Sequence, residues 1–161
     1  MRKIAHILMM LSAMLMASFA IAESSQPVIA VIIDSKQTAS ELNVSTKNLN
    51  LIYWRKQRFW PNGVRIKPVN LRSQNPLRIK FSQATLGSAP NTQVDYWNGQ
   101  YFNGILPPHS VDSEEAVIRY VAQTKGAIGY VNACNLDKRV TPLLWIQNGR
   151  LSRHMPDLSC N

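Results

Sequence analysis

The chain has 161 residues, 45% of them apolar, and 18 Lys and Arg against nine Asp and Glu, a net charge of +9. That length holds one ordinary domain with one core, and the sequence carries no internal repeat, low-complexity segment or linker. The charge attracts anions: phosphate-bearing ligands, the anionic cell envelope, acidic partners. The plainer alternative is a solubilising excess with no specific partner.

Residues 1–22 read as an export signal. Arg2 and Lys3 form a positive start, residues 4–19 are apolar apart from His6, Ser12 and Ser18, and Ala20-Ile21-Ala22 supplies small residues for cleavage after Ala22. The apolar run of about 16 residues is short of the ~20 that a spanning helix needs, which favours cleavage over an uncleaved membrane anchor. No Cys stands at the cleavage site, so a lipoprotein is not expected. The mature domain, residues 23–161, is then expected in the periplasm with no membrane span. Two cations and no acids leave with the signal, so it keeps a net +7. Export also removes nucleic acid as a natural partner.

Val28 to Ile33 is an unbroken apolar run closed by Asp34, a strand buried on both faces of the kind found in parallel sheets. Residues 35–44 read as a connection. Ser45 is placed to cap a helix reaching about Trp54, with Leu49, Ile52 and Tyr53 at helical spacing. Pro61-Asn62-Gly63 is turn chemistry. Val64 to Val69 alternates as a second strand, which Pro68 assigns to an edge. Pro76 suits the first position of a helix running to Leu86, and Gly87 suits its end. Leu77, Phe81, Ala84 and Thr85 form its inner face. A further helix starts near Pro90-Asn91 and carries Val94, Tyr96 and Trp97, while residues 98–108, rich in Asn, Gly and Pro, read as loop. Ser113 ahead of Glu114-Glu115 is a helix start, Val117, Ile118, Val121 and Ala122 are its apolar stripe, and Gly126 ends it. Ala127–Val131 and Thr141–Ile146 are the third and fourth strands. Gln147-Asn148-Gly149-Arg150 is a hairpin signal before a short return strand. The order gives an α/β domain, helices over a small mixed sheet.

Cys134 and Cys160 are an even pair, and in an oxidising compartment they are expected to form a disulfide. The alternative is two free buried thiols, and geometry decides between them. Catalysis finds no support. His6, His109 and His154 show no metal spacing, no nucleophile elbow is present, and Glu114-Glu115 belong to a helix start. No enzyme activity, metal or cofactor is expected.

An ordered set of phrases carries a family likeness. It runs through Leu51-Ile52-Tyr53, Phe59-Trp60-Pro61-Asn62-Gly63, Ile66-Lys67-Pro68-Val69-Asn70, Pro76-Leu77-Arg78 with Phe81, Val94-Asp95-Tyr96-Trp97 and Gly126-Ala127-Ile128-Gly129-Tyr130-Val131. Over Val28 to Val131 the chain resembles the phosphate ABC-transporter substrate-binding proteins. The resemblance implies one lobe, the second, of a type 2 periplasmic-binding-protein fold, whose full members have two lobes and roughly twice this length. It implies an anion ligand such as phosphate. It also implies that Trp60 packs inward. Arg55, Lys56 and Arg58 are themselves read as solvated. The alternative for Trp54 to Trp60 is a docking surface.

The family's anion corner is an Arg and a Ser-Gly-Thr turn before the helix that carries the motif Phe. Counted back from Phe81, the Arg place falls on Leu71 and the turn on Asn75-Pro76-Leu77. Both hydroxyls are gone, Arg72 is one residue out of register, and Pro76 has no N–H. The candidate ligand residues are therefore Arg72, Ser73, Gln74, Asn75 and Arg78, at a helix start where free amides and the dipole favour anions. The alternative is that Ser73 and Asn75 only cap the helix. Two or three charge-assisted bonds at ~1.5–3 kcal/mol each, less the cost of association, predict millimolar affinity for an open half-site. Two functions stay open: a weak anion-binding module, or a scaffold for another envelope protein.

Overall fold

The computed structural model describes residues 26–42 and 44–160. The expected export signal and cleavage site lie outside the described residues. Six strands form one mixed sheet: β1 (Ile29–Asp34), β2 (Lys67–Leu71), β3 (His109–Val111), β4 (Ala127–Asn132), β5 (Val140–Gln147) and β6 (Arg150–Ser152). Their order across the sheet is β3-β2-β4-β1-β5-β6. The helices are α1 (Ala39–Leu42), α2 (Leu49–Tyr53), α3 (Pro76–Leu86), α4 (Val94–Phe102) and α5 (Glu114–Gln123). Short 3₁₀ turns cover Pro90–Gln93 and Ala133–Asn135. This is the expected α/β class.

β1 is buried along its length, as its sequence predicts, but its neighbours β4 and β5 are both antiparallel to it. Any central strand covered on both faces reads as continuously apolar, so burial did not specify direction. β2 lies between β3 and β4, parallel to both, and is not an edge. Pro68 is tolerated there for a local reason. Lys67 N–H donates to Gly126 O on the β4 side, so the missing donor of Pro68 faces β3, where pairing begins only at Val69.

β4 separates the two helical layers. Gly129 faces α5: a Cβ built there would lie 2.6 Å from Val117 Cγ1 and 2.9 Å from Val121 Cγ2. Tyr130 faces the other way and stacks on Phe81 of α3, ring centroids 3.8 Å apart. Tyr53 of α2 meets the same Phe81 edge-on at 4.6 Å. Thus α2 and α3 cover one face of the sheet and α5 the other. Trp60 is buried and donates Nε1–H to Gly126 O at 3.1 Å, as the resemblance implied.

Local chemistry sets the helix ends. Asn75 Oδ1 accepts Leu77 N–H at 2.8 Å and Gly87 closes α3 at φ 69°. Ser113 Oγ accepts Ala116 N–H at 3.2 Å. α2 is shorter than expected, because residues 46–48 form turns ahead of it. Residues 98–102, expected as loop, continue α4. Its start is held by Tyr96, whose O–H donates to Trp54 O at 2.6 Å with the two rings 4.4 Å apart. Asn148 and Gly149, at φ 49° and 74°, make the predicted hairpin turn into β6. Cys134 and Cys160 are joined in a disulfide with Cα atoms 5.5 Å apart.

Candidate functional site

The connection from β2 through α3 leads outward to β3, and the connection from β3 through α5 returns across β2 to β4. These two connections run on opposite faces of the sheet. The carboxyl ends of β2 and β3 therefore mark a point where the chain's winding reverses, the place where open α/β sheets leave a crevice for ligands.

A shallow cleft of about 380 Å³ opens there, lined by Arg72, Ser73 and Gln74 after β2 and by Ser110 and Asp112 at β3. Three of the five sequence candidates thus come together. Arg72 reaches across and donates to the Asp112 carboxylate, both side chains remaining exposed. The same bond holds the Asp112 carboxyl below its ordinary pKa. Asp112 carried no local signal in the sequence, because it lies 40 positions from Arg72 and is joined to it by the parallel pairing of β2 with β3.

The other two candidates have different duties. Asn75 is the cap of α3, which matches the alternative that the sequence left open for it. Arg78 is 6% exposed and points inward. Its Nη1 donates to Asn70 Oδ1 at 2.6 Å, and its charge lies close to the buried Tyr130 and Tyr53 phenols. Burial pushes Tyr130 up to about 12, the neighbouring Arg78 pulling against it. Among the described residues Arg78 takes part in none of the ion pairs, so its charge is met by neutral dipoles.

A larger hollow of about 450 Å³ lies between β1, α3 and the β5–β6 turn, with Lys80 its one cation and mostly apolar walls. Among the described residues no group of His, Cys, Asp and Glu could hold a metal, and no helix is long and apolar enough to cross a membrane.

This architecture is similar to part of the solved structures of phosphate-transport binding proteins. A phosphate-bound structure from Clostridium perfringens, described as that of a phosphate ABC transporter substrate-binding protein, superposes with TM-score 0.58 at 16% identity, over 73% of this chain and 45% of that one. An ABC-type phosphate transport receptor from Vibrio cholerae gives TM-score 0.53 at 16% identity, over 73% and 46%. PstS from Borrelia burgdorferi gives 0.53 at 16% identity, over 74% and 48%. The chain spans less than half the length of each, as one lobe of two would. No family profile matches the sequence, and no curated protein matches it.

Proposed function

We propose that this chain is an exported, single-lobe binding module that takes phosphate or a similar oxyanion weakly in the cleft between the ends of β2 and β3. The observation that carries the reading is the position of that cleft. It lies at the winding reversal of the sheet, with Arg72, Ser73 and Gln74, just ahead of α3, on one wall.

The same residues explain why binding is weak. Asn75 already uses the Leu77 amide, Pro76 offers none, and Asp112 competes with an anion for Arg72. With one exposed cation and few free amides, about −4 kcal/mol, or millimolar affinity, is the expectation. A neutral residue in place of Asp112 removes both the competitor and a repelling charge. Export belongs to the same reading, and intact mass of protein recovered from the envelope fraction would then begin at Glu23.

The test is residue-resolved NMR titration with sodium phosphate. Amides of residues 72–75 are expected to shift with a millimolar midpoint. Asp112→Asn should tighten the midpoint by about 3- to 10-fold. Asn75→Asp keeps a good cap, so stability holds while the added charge weakens binding. No shift at residues 72–75 in either the parent or Asp112→Asn would refute the proposal. The scaffold reading draws on one observation, the exposure of Tyr101 and Phe102, the latter 87% exposed, on α4.

A further inference from the structure

Arg55 closes α2 in a conformation that suits glycine better. Its φ is 60°. Its own N–H donates to Ile52 O and that of Lys56 to Leu51 O, the helix ending whose left-handed position is ordinarily Gly or Asn. An arginine there bears a conformational cost that glycine avoids. That backbone aims the side chain toward the entry to β2. Nη1 donates to Ile66 O at 3.1 Å, while Nε is buried with no hydrogen-bond partner.

Arg58 and Arg65 join Arg55 around one cavity of about 180 Å³, completed by Gly104, Ile105, Leu106 and Pro107. The ion pairs among the described residues include none of these arginines. Burial first, then the charges of Arg65 and Arg58, push the Arg55 guanidinium below its ordinary pKa, so the three cations destabilise one another. The sequence reading of Arg55 as a solvated side chain is therefore corrected.

We propose that Arg55, Arg58 and Arg65 form a second site, for a tetrahedral oxyanion group, phosphate or sulfate. Guanidinium donors match such oxygens in paired geometry. A dianion would offset the mutual repulsion. The cavity holds the equivalent of about six waters, enough for one such group. It stands at the opposite end of β2 from Arg72, roughly 20 Å away at the ~3.3 Å rise of a strand. The oxyanion can be a free ion or the headgroup of an anionic lipid. The rim suits either, with Leu106 61% and Phe59 54% exposed and Phe59 bridged to Arg65.

The experiment titrates the protein with sodium sulfate and sodium phosphate, following amides of residues 55–66 and 104–107 by NMR. In parallel, flotation with phosphatidylcholine vesicles, with and without phosphatidylglycerol, tests the lipid source. Arg58→Gln and Arg65→Gln should each weaken the response by about fivefold, while Arg72→Gln leaves it unchanged. Arg55→Gly keeps the left-handed helix ending, so it should remain folded and lose the response. Shifts with free ions that depend on these arginines support the site with a free ligand. Flotation that depends on them and on phosphatidylglycerol, without free-ion shifts, supports it with a headgroup. No response in either arm, or a response that survives all three substitutions, overturns it. The Arg72 cleft is read on residues 72–75, so failure of one site is distinct from failure of the other.

Discussion

Gly129→Ala tests the layer assignment on which the cleft depends. A Cβ at residue 129 would lie 2.6 Å from Val117 Cγ1, 2.9 Å from Val121 Cγ2 and 2.9 Å from Val69 Cγ1. Carbon atoms prefer separations near ~3.5–4.0 Å, and all three neighbours are methyls on stiff β-branched side chains. They cannot swing aside, so α5, which carries Val117 and Val121, and β2, which carries Val69, must both shift. Overpacking of this kind costs about 1–3 kcal/mol. For a domain of this size each kcal/mol lowers Tm by roughly 3–5 °C, so thermal unfolding followed by circular dichroism should show Tm lower by about 3–15 °C. Gly99→Ala makes the same change inside α4, where a Cβ meets nothing within 4 Å. It should stabilise by about 0.5–1 kcal/mol through helix propensity. If Gly129→Ala left Tm unchanged or raised it, α5 would not be seated on β4 at Gly129. The opposite-face placement of α3 and α5 would fall, and the winding reversal with it.

Two further outcomes follow from the core and the tail. Reducing the Cys134–Cys160 bond, which spans 26 positions, should lower unfolding free energy by about 3.5 kcal/mol on the chain-entropy account. Urea melts with and without reductant measure this, and coincident midpoints would contradict it. Tyr130 supplies a pH dependence. Its folded pKa is raised to about 12 from an ordinary value near ~10. Between those values the unfolded chain gives up a proton that the folded chain keeps. The contribution is complete below about pH 10 and is lost as pH rises through about 12, at most ~2–3 kcal/mol. Tyr130→Phe removes that dependence and strands the buried Leu71 N–H, which the phenol oxygen accepts at 3.1 Å, at about 1–3 kcal/mol. The variant should be weaker at pH 7 and lose less between pH 9 and 11, with buried Tyr53 keeping part of the slope. Parallel pH profiles for the two proteins would count against the assignment.

What could be read from the sequence divides by the range of the physics. α3 was legible to the residue because Asn75, Pro76 and Gly87 act on their own backbone. The disulfide was legible because two cysteines in a chain expected to be exported have few options. The depth of β1 was legible, but its direction was not, since central strands of either direction bury both faces. β3 has three residues and no pattern of its own, and it exists because β2 offers it an edge. Pro68 misled because the harmless side of a strand is fixed by pairing partners far along the chain. In the cleft, Arg72, Ser73 and Gln74 were readable from the helix start beside them, whereas Asp112 became visible only in the folded chain. Arg55 was missed because the sequence signal for a left-handed helix ending is a glycine, and this chain places a cation there.

The two cationic sites stand at opposite ends of one short strand, and this separation has an energetic consequence. Roughly 20 Å is more than twice the ~8 Å screening length at physiological ionic strength. An anion at one end is therefore nearly invisible to the other. Substitutions at Arg72 and at Arg58 should combine additively, as distant independent sites do. Desolvation separates the sites further. Arg72 is exposed and faces a competing carboxylate, so its attraction operates at high dielectric and weakens steeply with salt. Arg55 is partly buried among like charges, so its attraction for an ion operates at lower dielectric and is screened less by salt. Salt should thus erode binding at the cleft before it erodes binding at the arginine cavity. If raising salt weakened the arginine cavity as steeply as the cleft, the partial burial of Arg55 would not be what strengthens that site.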